Sequence, residues 1–279
     1  MDLMPERTVL SHGHPALIRV GRGAGELSER DLGALRFIGE GYEVAQYQLH
    51  AAAFLGRVPT VVSRFVSRAA ARKLIVLQRQ NRTGINRLRL TARGRTLLIE
   101  HGFAHQDELF VPKAPVAPKD LAHTLWINDV RVAVSQFVPP HDLALPAWAL
   151  QRRLQPTPVA IPDLLAIWRG TSKRTGFALA CEVDLGGEGL QVLIPKLQRL
   201  FELVENWVTP SAGLVIIFCR GSKRRDSIRK EVRRRNIGTP HIAFSAQVLP
   251  EKFGIDRIGL LSSMCREAIG ARVESIPAP

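Results

Sequence analysis

The chain is poor in cysteine and in aromatic residues: its 279 positions hold three cysteines, two tyrosines and four tryptophans. Cys181, Cys219 and Cys265 lie far apart, which excludes a disulfide framework and the paired spacing of a zinc site. Two of them fall within apolar, strand-like runs, so we expect buried, reduced thiols. No apolar run approaches the roughly 20 residues of a membrane helix, and the N-terminus lacks the apolar core of a signal peptide. These absences predict a cytoplasmic protein without a membrane partner.

Acidic residues are scarce relative to bases: 25 Asp and Glu stand against 39 Lys and Arg, a net charge of +14. Most of the bases are arginine, whose planar guanidinium matches the geometry of phosphate. The excess therefore favours a nucleic acid partner, with a soluble enzyme that is merely basic as the alternative. Hydrophobic residues make up 46% of the chain, which is enough for one large or two modest domains with their own cores.

The sequence pattern divides the chain into five parts. Residues 1–27 carry Gly, Pro and His without periodicity and predict a loosely ordered arm. Residues 111–119 hold three prolines and form the clearest domain boundary. This linker separates an N-terminal domain, 28–110, from a C-terminal α/β domain with a mixed sheet, 120–272. Residues 273–279 follow as a tail.

The N-terminal domain has the pattern of three helices followed by a two-stranded hairpin. Ser28 and Asp31 form a capping box at the start of the first helix, and the second is expected from about Glu43. Apolar residues recur at helical spacing from Thr60 to about Arg72, which predicts a third helix with one face in the core. This order is that of a winged helix-turn-helix, whose third helix enters the DNA major groove while the wing contacts the backbone.

DNA contacts are expected on the exposed face of the third helix and in the wing. From Ser28 to Gly102 the chain holds 13 bases and 5 acids, a net charge of +8 that supplies the electrostatic part of phosphate binding. Winged helices also serve as protein-protein modules, and that alternative stays open. The predicted DNA-binding residues of this domain are Thr60, Ser63, Arg64, Ser67, Arg68, Arg87 and Arg89.

The stretch from Pro162 to Phe201 carries the candidate chemistry. Two apolar runs, IPDLLAIW and FALACEVDL, flank a polar turn and predict a β-hairpin. Side chains two apart on a strand share a face, so Glu182 and Asp184 point together. Carboxylates in an apolar strand are costly unless a cation or donor holds them, which indicates a divalent metal site.

Two later helices are expected to supply basic residues to this stretch and to the DNA. Pro195 suits a first helical turn, which places Lys196 at the start of a helix, where the dipole disfavours a cation unless carboxylates lie beside it. From Ser222 to about Asn236 a second helix carries eight bases and two acids, a net +6 that favours a nearby phosphate backbone. Its predicted DNA-binding residues are Lys223, Arg224, Arg225, Arg229 and Arg233.

Asp163, Glu182, Asp184 and Lys196 together resemble the centre of the PD-(D/E)xK, restriction-endonuclease-like superfamily. The resemblance implies that these four residues are catalytic and that the three acids hold Mg²⁺ or Mn²⁺. The metal would polarise the phosphate and a bound water, and the lysine would steady the developing charge. Position 184 is Asp where that superfamily usually has Lys, so Lys196 would have to replace the missing lysine.

The chain as a whole resembles the replication-relaxation family of plasmid and other mobile-element proteins. The resemblance spans about Leu32 to Arg235 and is carried by the segments RLRLTARGRTLL, HTLWINDVRVAV, IPDLLAIW, FALACEVDL and PKLQRLF. It implies a DNA-binding protein of replication, relaxation or mobilisation, with other mobilisation or replication proteins as partners. A metal-dependent endonuclease or nickase is one reading. The other is a non-catalytic DNA-binding regulator or mobilisation adaptor with a degenerate nuclease fold, and the oligomeric state stays open.

Overall fold

The computed structural model describes residues 27–79, 85–105, 108–136, 143–147, 150–151, 160–168, 177–207, 212–239, 241–252 and 254–273. These residues form a mixed α+β structure of eight helices and two sheets. The helices are α1 (Glu29–Glu40), α2 (Gln46–Ala53), α3 (Pro59–Ala71), α4 (Ala92–Glu100), α5 (Pro118–Ser135), α6 (Leu190–Trp207), α7 (Ser222–Arg234) and α8 (Ile255–Val273). The strands are β1 (Val44–Ala45), β2 (Ile75–Gln78), β3 (Arg87–Leu90), β4 (Leu143–Pro146), β5 (Leu164–Trp168), β6 (Phe177–Asp184), β7 (Ala212–Cys219) and β8 (Ile242–Val248).

Four predicted segments fall largely or wholly outside the described residues. They are the N-terminal arm, the tip of the wing, the polar turn between the two acidic-site strands, and the C-terminal tail. The domain boundaries at 111–119 remain a prediction. Within that linker the backbone N–H of Val116 donates to Glu43 Oε2 at 2.8 Å, so its end is tied to the N-terminal half.

The N-terminal half begins at the predicted capping box. Ser28 Oγ accepts from the Asp31 backbone N–H at 3.2 Å, and Asp31 Oδ2 accepts from the Ser28 N–H at 3.3 Å. The helix expected from about Glu43 starts only at Gln46, because Val44 and Ala45 pair with β3 as a third strand. The sheet order is therefore β1-β3-β2, antiparallel throughout.

The C-terminal half contains a five-stranded sheet of order β4-β5-β6-β7-β8. The β4-β5 and β5-β6 pairs are antiparallel, whereas β6-β7 and β7-β8 are parallel, which confirms the predicted mixed sheet. Both central strands, β6 and β7, are buried along their whole length. Burial on two faces fits their near-continuous apolar sequence.

Helices cover both faces of this sheet. Ala180 and Ile217 point into a core that α6 and α7 complete, whereas Cys181 and Ile216 point into a core that α5 and α8 complete. The three cysteines are buried and unpaired, as predicted. None of the helices within the described ranges has the length and apolarity needed to cross a bilayer.

A buried polar cluster, which we call the polar seam, joins the two halves. Asp129 of α5 is fully buried, and its Oδ1 accepts from Gln48 Nε2 at 2.7 Å. Its Oδ2 accepts from Tyr47 Oη at 3.1 Å and from an Arg257 guanidinium nitrogen at 3.2 Å. Next to it, Asn128 Nδ2 donates to the carbonyls of Gly41 and Glu43 at 3.0 and 2.9 Å. Donors from two helices, α2 and α8, therefore converge on Asp129 of α5.

Burial raises the pKa of Asp129 to about 6, and its donors oppose that rise. An acid with a raised folded-state pKa destabilises the fold where it is ionised, so this penalty disappears as the pH falls from 7 towards 4. We predict that Asp129→Asn removes a pH-dependent component of the free energy of unfolding of at most roughly 2–3 kcal/mol over that window.

Urea unfolding of both proteins at several pH values measures this difference. Asp256→Asn, an exposed change on the same helix as Arg257, is the matched control and should keep the wild-type pH profile. Parallel profiles for wild type and Asp129→Asn would contradict the prediction.

Candidate functional site

Asp163 lies immediately before β5, at the edge of the sheet where β6 ends. The antiparallel pairing of Leu164 with Cys181 brings Asp163 alongside the end of β6. The side chain is mostly buried, and its Oδ2 accepts from the Val183 backbone N–H at 2.8 Å. His123 Nε2 lies 3.3 Å from the same oxygen. Asp163 is thus held by one backbone donor and one imidazole.

Glu182 is the neighbouring acid, and Lys196 is its partner. Lys196 Nζ donates to Glu182 Oε1, so the lysine of α6 contacts the acid of β6. Glu182 Oε2 is buried without a hydrogen-bond partner among the described residues. Burial, reinforced by the charge of Asp163, raises the pKa of Glu182 above its usual value, and the charge and hydrogen bond of Lys196 oppose the rise. Two adjacent carboxylates therefore share this site, and one of their oxygens is unsatisfied.

Asp184 shares a strand face with Glu182, as expected, but its side chain has different partners. Its Oδ2 accepts from Arg224 Nε at 2.6 Å, and its Oδ1 accepts from the Gly186 N–H at 2.8 Å. The same arginine donates to the Glu188 carbonyl at 2.6 Å. No three His, Cys, Asp or Glu side chains within the described ranges are arranged to hold a metal.

The residues fit a divalent ion only in part. Mg²⁺ is commonly held in proteins by one or two carboxylates together with water and phosphate oxygens. Asp163 and Glu182 meet that requirement, because they are adjacent and Glu182 Oε2 is unsatisfied. Asp184 does not meet it here, since Arg224 already neutralises its charge.

Lys196 does not lie in the first turn of its helix. The Gly189 carbonyl accepts from the N–H groups of Val192 and Leu193, so α6 begins at Leu190 and Pro195 lies inside it. The expected conflict between Lys196 and the helix dipole therefore does not arise. Its ammonium is held by Glu182 instead.

His123 is the residue of this site that sequence reasoning passed over. It is one of several polar residues in α5, among them Asn128 and Arg131, and no local sequence signal separates them. Asn128 binds carbonyls across the polar seam, and Arg131 donates to the Phe37 carbonyl at 2.8 Å. His123 instead faces Asp163 and also lies 2.9 Å from the Val183 carbonyl. The hydrogen bond to Asp163 raises the pKa of His123 above its usual value, although burial opposes the rise.

The exposed face of α3 presents the predicted side chains to solvent. Ser63, Arg64, Ser67 and Arg68 line a depression of about 500 Å³, and we call this face, with the depression, the α3 surface. Its exposed members are Thr60, Ser63, Arg64, Ser67 and Arg68. Gln46 connects Ser63 to the start of β3, because its Nε2 donates to Ser63 Oγ at 3.1 Å and its Oε1 accepts from Asn86 at 2.9 Å.

Arg87 and Arg89, both predicted to contact DNA, are not fully exposed. A guanidinium nitrogen of Arg87 lies 2.6 Å from Glu43 Oε1, and its side chain is only 7% exposed. Arg89 is half-buried. The cause is the unpredicted strand β1, which makes β3 the central strand of its sheet. Arg87 is consequently not presented to a phosphate.

Helix α7 turns some of its bases inward and some outward. Arg224 binds Asp184, Arg229 donates to the Ala246 carbonyl at 2.7 Å, and Arg225 pairs with Asp226 at 2.8 Å. A second depression, of about 330 Å³, is lined by Asp226, Arg229, Lys230 and Arg233. Of the exposed bases of this helix, Lys223, Lys230 and Arg233 define the α7 surface, whereas Arg234 is exposed but paired with Glu231.

One comparison with known proteins gives a match. The model of the replication-relaxation family matches residues 35–215, which is more than half of the chain and includes both the α3 surface and the acidic site. No curated protein matches the chain.

The Glu182–Lys196 pair makes a testable contribution to stability. Removing one member of a mostly buried pair leaves the other uncompensated, so Lys196→Met should lower the free energy of unfolding by about 2–4 kcal/mol. The double variant Glu182→Gln/Lys196→Met should recover much of the loss, because it leaves no buried charge.

Urea unfolding at pH 7 measures both effects. Lys230→Met, which removes an exposed lysine, is the control and should change stability by less than about 0.5 kcal/mol. Additive losses in the double variant would show that the two side chains are not coupled.

Proposed function

The chain belongs to the replication-relaxation family, and from this premise we propose that it is a DNA-binding protein of a plasmid or other mobile element. The family suggests a role in replication or relaxation of such elements. We further propose that the N-terminal half is a winged helix and that the α3 surface contacts the DNA. The exposed arginine and hydroxyl face of α3 is the observation that carries the proposal.

Three features support a winged helix whose α3 surface contacts DNA. The order of elements from α1 to β3 is helix, strand, two helices and two strands, with β2 and β3 as the antiparallel hairpin. Val62, Phe65 and Val66 anchor one face of α3 in the core, so its polar face is rigidly presented. Arg64 has no ion-pair partner within the described ranges, which leaves its guanidinium free for a phosphate or a base edge.

We predict that Arg64→Ala weakens binding to a duplex about tenfold or more and lowers the salt dependence by about one phosphate contact. Fluorescence anisotropy at several salt concentrations measures both quantities. Arg199→Ala removes an exposed arginine of α6, on the opposite face of the C-terminal sheet, and serves as the control. Binding that is unaffected by salt or by Arg64→Ala would contradict this assignment.

A second candidate activity is metal-dependent cleavage or nicking of DNA, which the unsatisfied Glu182 Oε2 favours. We propose that Asp163 and Glu182 hold Mg²⁺ or Mn²⁺. When bound, the ion would polarise a phosphate oxygen and a water. Its presence would also relieve the repulsion between the two carboxylates.

The chain's own residues have separable tasks in such a centre. Lys196 holds Glu182 in place and puts a positive charge at the site. His123 and the Val183 N–H orient Asp163. Arg224 keeps the charge of Asp184 balanced, so we assign Asp184 a supporting role rather than the metal-binding role suggested by the sequence pattern.

Metal binding and cutting can be tested separately. We expect Mn²⁺ binding by titration calorimetry and Mg²⁺- or Mn²⁺-dependent nicking of supercoiled DNA, both lost in Asp163→Asn and Glu182→Gln. Glu188→Gln, an exposed change in the neighbouring loop, should retain both. Equal cutting by wild type and the two site variants would exclude this centre.

DNA binding without cutting under either metal would support the alternative function. The protein would then be a DNA-binding regulator, or an adaptor for other mobilisation or replication proteins, with the acidic cluster as a structural element. A stable protein partner together with weak DNA binding would favour the adaptor.

A further inference from the structure

Helix α7 and the N-terminal half, which carries α3, pack on opposite sides of the C-terminal sheet. Adjacent residues of a strand point to opposite faces. Ala180 and Ile217 contact the core that includes Ile228 and Val232 of α7, whereas Cys181 contacts the core of α5 and α8. Helix α7 therefore covers one face of the sheet, and α5 and α8 cover the other.

The N-terminal half is attached to the α5 and α8 side. Gln48 of α2 binds Asp129 of α5, and Ala51 of α2 packs with Val132 of α5 and Ile258 of α8. The layers from one surface to the other are thus α7, the sheet, α5 with α8, and α2, which also contacts α3. At about 8–10 Å a layer, α7 and α2 are roughly 25–30 Å apart.

The α7 surface has the character of a second duplex-binding face. Lys223, Lys230 and Arg233 are exposed at intervals of seven and three residues, so they form one stripe about 15 Å long. The side of α7 that carries Ile228 and Val232 is buried in the core, which fixes the direction of the stripe. A fixed basic stripe of this length is complementary to a phosphate backbone, which carries one charge per about 1.7 Å of duplex axis.

Double-stranded DNA is stiff, with a persistence length of about 150 base pairs. A straight duplex lying against α3 cannot also lie against α7 with the layers of the protein between them. From this geometry we propose that one molecule holds two duplex segments at once, the first on the α3 surface and the second on the α7 surface. The proposal rests on the proposed DNA-binding function and adds DNA bridging to it.

Duplexes of about 15 base pairs, roughly 51 Å long, are the probe, because they are too short to wrap around the protein. One duplex is immobilised, and capture of a second, fluorescent duplex of the same sequence is measured with the full-length protein. Light scattering in solution gives the number of duplexes and of protein chains per complex.

We expect two duplexes per protein chain and efficient capture by the wild type. Arg64→Ala and the triple variant Lys223→Ala/Lys230→Ala/Arg233→Ala should each still bind one duplex but capture at least tenfold less of the second. Lys223→Arg/Lys230→Arg keeps the charge of the α7 surface and should bridge like the wild type.

Other outcomes would overturn the proposal in distinguishable ways. One duplex per chain, with affinity unchanged in the α7 triple variant, would leave the proposed DNA binding intact and show that the α7 surface does not hold a duplex. The α7 triple variant could also still bridge two duplexes, in a complex that contains two protein chains. That result would show that the two α3 surfaces of a dimer hold the DNA. A failure of the wild type to bind any duplex would reject the proposed function itself.

Discussion

The buried carboxylate of Asp129 holds the two halves of this protein together. An ionised group in a dry interior is costly unless donors surround it, and Tyr47, Gln48 and Arg257 supply those donors from two other helices. The apolar part of the junction is small, with Ala51, Val132 and Ile258 at its centre. Hydrogen bonds are more directional than apolar contacts, so the polar seam sets the angle between the halves. Every relation between the α3 surface and the C-terminal sheet depends on it.

Each buried acid at the edge of the C-terminal sheet likewise has a partner that can donate a hydrogen bond to it. Asp163 faces His123, Glu182 faces Lys196 and Asp184 faces Arg224. Three buried carboxylates close together would repel one another and also a nucleic acid, whereas three individually partnered carboxylates present little net charge. A phosphate can therefore approach this edge with or without a metal. Of these three acids, only Glu182 has a buried oxygen without a hydrogen-bond partner among the described residues, so a bound cation would stabilise this carboxylate most.

Short sequence patterns predicted the helices and strands, whereas contacts between residues far apart in the chain determine which side chains meet at the candidate site. The Ser28–Asp31 capping box spans three residues and is readable from the sequence. The alternation along β6 likewise predicted that Glu182 and Asp184 share a face. The partners of these acids lie 14 and 40 residues away, and no periodicity indicates which base reaches which acid. The burial of Arg87 was equally unpredictable. Strand β1 has only two residues, too few to leave a sequence pattern, yet its pairing with β3 accompanies the burial of the Arg87 side chain.

Position 184 holds an aspartate where the PD-(D/E)xK pattern that the sequence resembles has a lysine. A lysine at that position would lie on the same strand face as Glu182, two residues along. Lys196 comes to the same face from α6 and bonds to the same glutamate, so the helix supplies the ammonium that the strand lacks. An aspartate at 184 then requires a base of its own, which α7 provides through Arg224. The helix that neutralises Asp184 is also the helix that carries the outward basic stripe. Arg224 therefore connects the helix that carries this stripe to the edge of the sheet where the acids lie.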